Sequence, residues 1–211
     1  ILTMGELFFF TKTYSYVGAE PFVQSSTLYP TLNTQPYIES PTEISPNKKN
    51  LIINGGFDVW QRGTSFSSAS YYQNYADRWM GDAFNNTGNT ISRQSATASE
   101  PFFKFLRFQR DASNTGTGSR RVGTVFESQN TAFMSGQEVT LSFYMRKGAN
   151  WSPATDTVTS YIFTGTGNDG SMSSGLGSGW TGNAAQSQSN TITTSWVRFT
   201  HTVTLSATAM Q

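Results

Sequence analysis

The sequence predicts an all-β protein: an antiparallel β-sandwich or jelly roll behind an extended N-terminal arm. Three observations predict it. Several segments alternate apolar and polar residues with the period of a half-buried strand. Gly-, Ser- and Asn-rich stretches separate them as turn signals. No long segment carries a helical period.

Along the chain, residues 1–29 hold aromatic patches at 7–10 and 14–17, suited to short strands. Residues 30–49 differ, with Pro30, Pro36, Pro41 and Pro46 recurring before Lys48 and Lys49. Proline removes backbone donors, so this stretch reads as an extended linker. Residues 1–49 are therefore assigned to an arm or attachment segment, and 50–211 to the sandwich. The run NLIINGGFDVWQRG at 50–63 reads as a first strand, with Leu51, Ile53, Phe57 and Val59 on one face. Its Asn54-Gly55-Gly56 would allow a bend, and Trp60 would plug one end of the sandwich. Short strands are expected at 77–81 and 90–93, and longer ones at 102–110, 121–127 and 158–164. Residues 138–147 alternate most cleanly: Val139, Leu141, Phe143 and Met145 point one way, Thr140, Ser142, Tyr144 and Arg146 the other. Residues 196–205 repeat this, with Val197, Phe199, Val203 and Leu205 inward. Loops are expected at 85–89, 111–119 and 165–182.

The totals bound the function. Of 211 residues only 13% are charged and the net charge is +1, about half the ~25% charged fraction of ordinary globular chains. No long-range field is implied, hence no nucleic-acid partner. No apolar run reaches transmembrane length, so no membrane insertion is expected. There is no Cys, which excludes disulfides and thiolate metal sites. The chain starts at Ile1 and stops at Gln211 just after a strong strand pattern. Both ends look cut, and the sandwich is expected to be incomplete at its C-terminus.

Catalytic constellations are thin. His201 is the only histidine and falls on the apolar side of its strand, where a satisfied core-edge residue is expected. No Gly-x-Ser-x-Gly elbow and no Walker A loop occur. The carboxylates of Asp58, Asp77, Asp82, Glu100, Asp111, Glu127, Glu138, Asp156 and Asp169 are available, but sequence pairs none of them. The reading is no enzyme, no cofactor and no metal. Aromatic residues are the better recognition chemistry, because ring faces stack on the C–H faces of sugars. Tyr71, Tyr72, Tyr75, Trp151 and Trp180 sit in or beside polar loops and are the candidate glycan-binding residues. Trp60, Trp79 and Trp196 lie in strand context and are assigned to the core.

A resemblance enters at residues 50–63 followed by YADRW at 75–79. Further pieces follow in order: LRFQRDA at 106–112, SRRVG at 119–123, VTLSFYMR at 139–146, GTG at 165–167, GWTG at 179–182 and TSWVRF at 194–199. As a series over about residues 50–205 these resemble a module of bacteriophage tail-fibre and related virion proteins. The resemblance implies a jelly roll of the galactose-binding-like type and carries no catalytic residues. It implies a structural virion protein on the tail or capsid surface, a fibre or fibre-like appendage. Residues 1–49 would attach it to other virion proteins, and fibre analogy suggests a homo-oligomer, a trimer. The loops would touch host-surface glycan. The alternative is a purely architectural decoration or adaptor protein contacting only other virion proteins. Asp77 and Arg78 would pair near Trp79, with the arginine stacked on a ring. Such modules continue with further strands, which is the second reason to expect an incomplete sandwich here.

Overall fold

A computed structural model describes residues 6–11, 50–67, 73–83, 88–112, 114–115, 118–166 and 180–207. Backbone contacts group Ile1–Thr13 with Leu51–Gln211; Tyr14–Asn50 is a second unit, of which only Asn50 is described. The first unit is antiparallel β-structure. Its strands are β1 (Glu6–Thr11), β2 (Ser65–Ser67), β3 (Gln73–Asn74), β4 (Met80–Ala83), β5 (Asn89–Ser95), β6 (Lys104–Arg110), β7 (Arg120–Gly123), β8 (Glu138–Lys147), β9 (Thr157–Thr166), β10 (Thr181–Thr191) and β11 (Val197–Thr204). A single helical turn, Ser128–Thr131, runs into a 3-10 turn at Ala132–Met134.

The strands form a six-stranded sheet in the order β11-β8-β1-β6-β5-β2, a three-stranded sheet β3-β4-β7 and a two-stranded ribbon β10-β9. Glu6–Thr11, which the sequence reading left in the arm, runs inside the large sheet between β6 and β8. Register explains why the alternation at 138–147 and 196–205 is so clean. Ile91 pairs with Phe108, Val197 with Met145, Phe199 with Phe143, His201 with Leu141 and Val203 with Val139. These positions share one face, and that face is the core. Ile91, Leu106, Phe108, Phe143 and Met145 are all buried there, each worth about 1.5–3 kcal/mol of hydrophobic transfer. The same core cluster takes in Tyr75 and Trp79 beside β3 and β4, and Val158 of β9, so it joins residues from all three sheets.

On the opposite face of the large sheet, Phe102 and Phe105 of the same core cluster gather Tyr144 and Trp196 around them. Trp196 meets Phe102 and Phe105 edge-on at 4.7 and 5.2 Å, and the Arg146 guanidinium lies 5.1 Å from the Trp196 ring centre. The Trp196 indole N–H donates to Glu100 Oε1 at 2.6 Å.

Residues 50–63 form no strand. Turns occupy residues 53–56, and Asn54 and Phe57 have positive φ, 54° each. Asn54 ties the loop. Its Nδ2 donates to the carbonyls of Val59 and Asp77, both at 2.9 Å, and its Oδ1 accepts from Val59 N–H at 3.0 Å. The Asn54 carbonyl accepts from the Trp79 indole at 3.0 Å, while the Trp60 indole donates to the Phe57 carbonyl at 2.7 Å. Phe57 and Trp60 are buried as expected, but Ile53 and Val59 are exposed. The apolar residues follow a folded loop, not a pleat. The expected Asp77–Arg78 pair does not form either. Asp77 accepts from Gln61 N–H at 2.8 Å and lies 3.8 Å from Arg62, whereas Arg78, at φ 70°, turns to Glu127 at 2.5 Å.

Candidate functional site

The candidate glycan residues scatter. Tyr71 and Tyr72 lie outside the described residues. Tyr75 has no exposed surface, meets Phe66 edge-on at 5.4 Å and lies against Gly81, where an added Cβ would come within 2.9 Å of its ring. It is a core residue and has no face for a ligand. Trp151 packs against the core cluster, its backbone N–H on the Gly148 carbonyl at 3.2 Å. Its indole N–H is buried with no acceptor among the described residues, while the residue as a whole is half-buried.

Trp180, likewise half-buried and with its indole N–H buried without an acceptor among the described residues, stands at the head of β10 against Gly165 of β9. A Cβ on Gly165 would lie 2.6 Å from Trp180 Cβ and 3.1 Å from its Cε3. The tryptophan therefore fills the place where a side chain at 165 would stand, and glycine is required there by close approach.

That place belongs to the outer face of the ribbon. Pairing sets Thr157 opposite Thr191, Thr159 opposite Ser189, Tyr161 opposite Ser187 and Phe163 opposite Ala185. Val158, Ser160 and Thr164, on the other face, are buried. Tyr161 is 41% exposed, and its ring stacks on Phe163 with centroids 5.5 Å apart and planes 21° from parallel. Across from the two rings, Ala185, Ser187, Ser189 and Thr191 are exposed. Sequence reading missed this surface. Residues 158–164 carry apolar side chains at both parities, so periodicity alone did not show which ones faced out. The available signal was the aromatic pair at i and i+2 opposite serine and alanine.

Beside Val158 and Ile162, the ribbon's inner face carries polar residues that are bound. His201 Nδ1 lies 3.2 Å from Ser160 Oγ, and Asn190 Nδ2 donates to Ser160 Oγ at 3.1 Å and to the Val158 carbonyl at 3.1 Å. Gln188 and Gln186 donate to the Thr200 and Thr204 carbonyls of β11 at 2.8 and 3.1 Å. His201 is 4% exposed, and burial pushes its pKa below the ordinary value. It is a structural histidine between two sheets, as its place on the apolar face predicts.

Several of the acids have structural partners. Asp156 meets Lys147 at 2.5 Å, Asp111 accepts from Thr90 Oγ1 at 3.2 Å, and Glu100 is held by Trp196 and by Thr97. No group of three or more His, Cys, Asp or Glu suited to a metal occurs among the described residues. No family model, no curated protein and no solved structure matches this chain.

Proposed function

We propose that this chain is a structural protein of a tailed-phage virion, a fibre or fibre-like appendage whose β-sandwich binds host-surface glycan. The observation that carries the binding part is the outer face of the β9–β10 ribbon. There an exposed tyrosine is stacked on a phenylalanine among serine, threonine and alanine. Such rings present flat apolar faces to sugar C–H groups, and neighbouring hydroxyls can exchange hydrogen bonds with sugar hydroxyls. The virion setting rests on the ordered motif resemblance across residues 50–205. Residues 14–49, which follow the in-sheet strand β1, serve as attachment to other virion proteins, and a trimer would repeat the sandwich. Repetition raises avidity well above that of one weak site, without new contacts. No covalent step and no cofactor enter this mechanism.

Two measurements test it. Immunogold labelling with antibody against residues 50–211 should decorate a projecting part of intact particles; absence of label from the virion would remove the structural role. Purified protein should adsorb to host cells, and free host-surface polysaccharide should compete. Adsorption that polysaccharide leaves unchanged would favour the purely architectural alternative.

A further inference from the structure

We propose that Tyr161, Phe163 and Trp180 form a linear platform on the outer face of the β9–β10 ribbon, along which an extended, uncharged glycan chain lies parallel to β9. The proposal rests on the glycan reading above and says where on the molecule, and for what class of glycan, that binding occurs.

The row follows from strand geometry. Tyr161 and Phe163 stand at i and i+2 on one face of β9, and the next outward position is Gly165. Glycine leaves that position empty, and Trp180 occupies it. The first two rings lie 5.5 Å apart on β9, and Trp180, entering from the segment ahead of β10, stands at the third place of the same row. Rings in a loop cluster favour one compact sugar. Rings in line favour a chain that offers one sugar face after another.

Charge selects the class. The remaining outward positions are Thr157 and Thr159 on β9 and Ala185, Ser187, Ser189 and Thr191 on β10. None carries a formal charge, so an acidic polysaccharide finds no cation on these positions. The hydroxyls suit neutral sugars.

Area argues against a protein occupant. From Thr157 to Gly165 the face is about 26 Å long and roughly 10 Å wide, taking ~3.3 Å per residue and two strands ~4.8 Å apart. That gives about 260 Å², whereas a stable protein interface needs about 800 Å² from each partner. A second copy of the chain would need far more surface than the ribbon provides.

Affinity electrophoresis of the purified chain in gels containing dextran, mannan, galactan or polygalacturonate tests the proposal. At least one neutral polysaccharide should retard the wild type and polygalacturonate should not. Tyr161→Ala should weaken retardation about tenfold, the loss of one stacking contact, while Tyr161→Phe, which keeps the ring, should stay close to wild type. Gly165→Ala, which displaces Trp180, should weaken binding as well. Near-UV circular dichroism and thermal melting confirm that each variant is folded. Retardation by a neutral polysaccharide that survives both Tyr161→Ala and Gly165→Ala overturns the platform and leaves the glycan reading standing. Retardation by polygalacturonate alone overturns the neutral class. No retardation by any of the four, together with no adsorption to host cells, removes the glycan reading and the platform with it. Concentration-dependent dimers lost in Tyr161→Ala would assign the face to a second copy and overturn the proposal.

Discussion

Asn54 holds two stretches of chain together with one side chain. Its amide bonds both sides of the loop at Val59 and the carbonyl of Asp77, and its own carbonyl anchors the Trp79 indole. It also sits at φ 54°, where asparagine is tolerated and alanine is strained. Asn54→Ala should therefore lose stability by about 3 kcal/mol: roughly 0.5–1.5 for each side-chain hydrogen bond and about 1 for the backbone. Asn54→Gly should recover the backbone part, about 1 kcal/mol, and no more. Urea midpoints of the three proteins measure this. Equal midpoints for the alanine and glycine variants would show that the positive φ contributes nothing. The case also explains a misreading. Phe57 on its strand face and Trp60 in strand context were read as core residues, which they are. Positive φ at Asn54, Phe57 and Arg78 leaves no mark in apolar spacing, so Leu51, Ile53, Phe57 and Val59 suggested a strand where the chain turns.

Elements differ in legibility for a physical reason. β8 and β11 put a full apolar face against the core, so their alternation is unmistakable in the sequence. β10 is the longest strand, Thr181–Thr191, and was assigned in part to a loop and otherwise passed over, because it reads TGNAAQSQSNT. Its inner residues face β11, an edge strand of the large sheet, and not a greasy interior. Gln186 and Gln188 satisfy carbonyls of a strand that has a neighbour on one side only, a way of covering an edge. Polarity here is a packing solution, so a hydrophobic periodicity cannot reveal it. Gln188 also donates to Asn190 Oδ1 at 3.1 Å. Gln188→Ala should then cost about 1–2 kcal/mol and raise amide exchange in β9 and β10 above that in β5 and β6. Uniform exchange across all four strands would mean that the ribbon is not held by these glutamines. The outer face of the same ribbon was missed for the complementary reason: Tyr161 and Phe163 look like core residues to any rule that sends aromatics inward.

At the scale of the whole molecule, buried His201 and half-buried Glu100 open two windows in which the fold answers acid. The all-β antiparallel architecture was legible, and so was the place of His201 on an inward face. Its partners were not, because they come from β9 and β10. In the folded protein burial lowers the pKa of His201 from its ordinary 6.5. The faces nearest it present Leu141 from β8, Ser160 from β9 and Gln188 and Asn190 from β10, none of which titrates. The unfolded chain therefore takes up the proton first. The stabilisation is complete above about pH 6.5 and is lost as pH falls through the lower folded value. Glu100 acts in a second, more acidic window. Burial pushes its carboxyl up, but hydrogen bonds from the Thr97 backbone, the Trp196 indole and the Thr97 hydroxyl, with Arg146 nearby, outweigh that and hold it below 4.5. Its contribution is present above about pH 4.5 and is lost as pH falls through the folded value. With one histidine and no cysteine in the chain, no other side chain ordinarily titrates between these windows. Stability against pH should fall in two steps. His201→Gln should abolish the upper step and keep the lower one; Glu100→Gln should keep the upper step and shrink the lower one, to which Glu127, held below 4.5 by backbone, Arg78 and Asn130 hydrogen bonds, also contributes. Thermal melts from pH 8 to pH 3 separate the two. An upper step that persists in His201→Gln would mean that the proton is taken up elsewhere, and that the seam between the ribbon and the large sheet does not respond to pH.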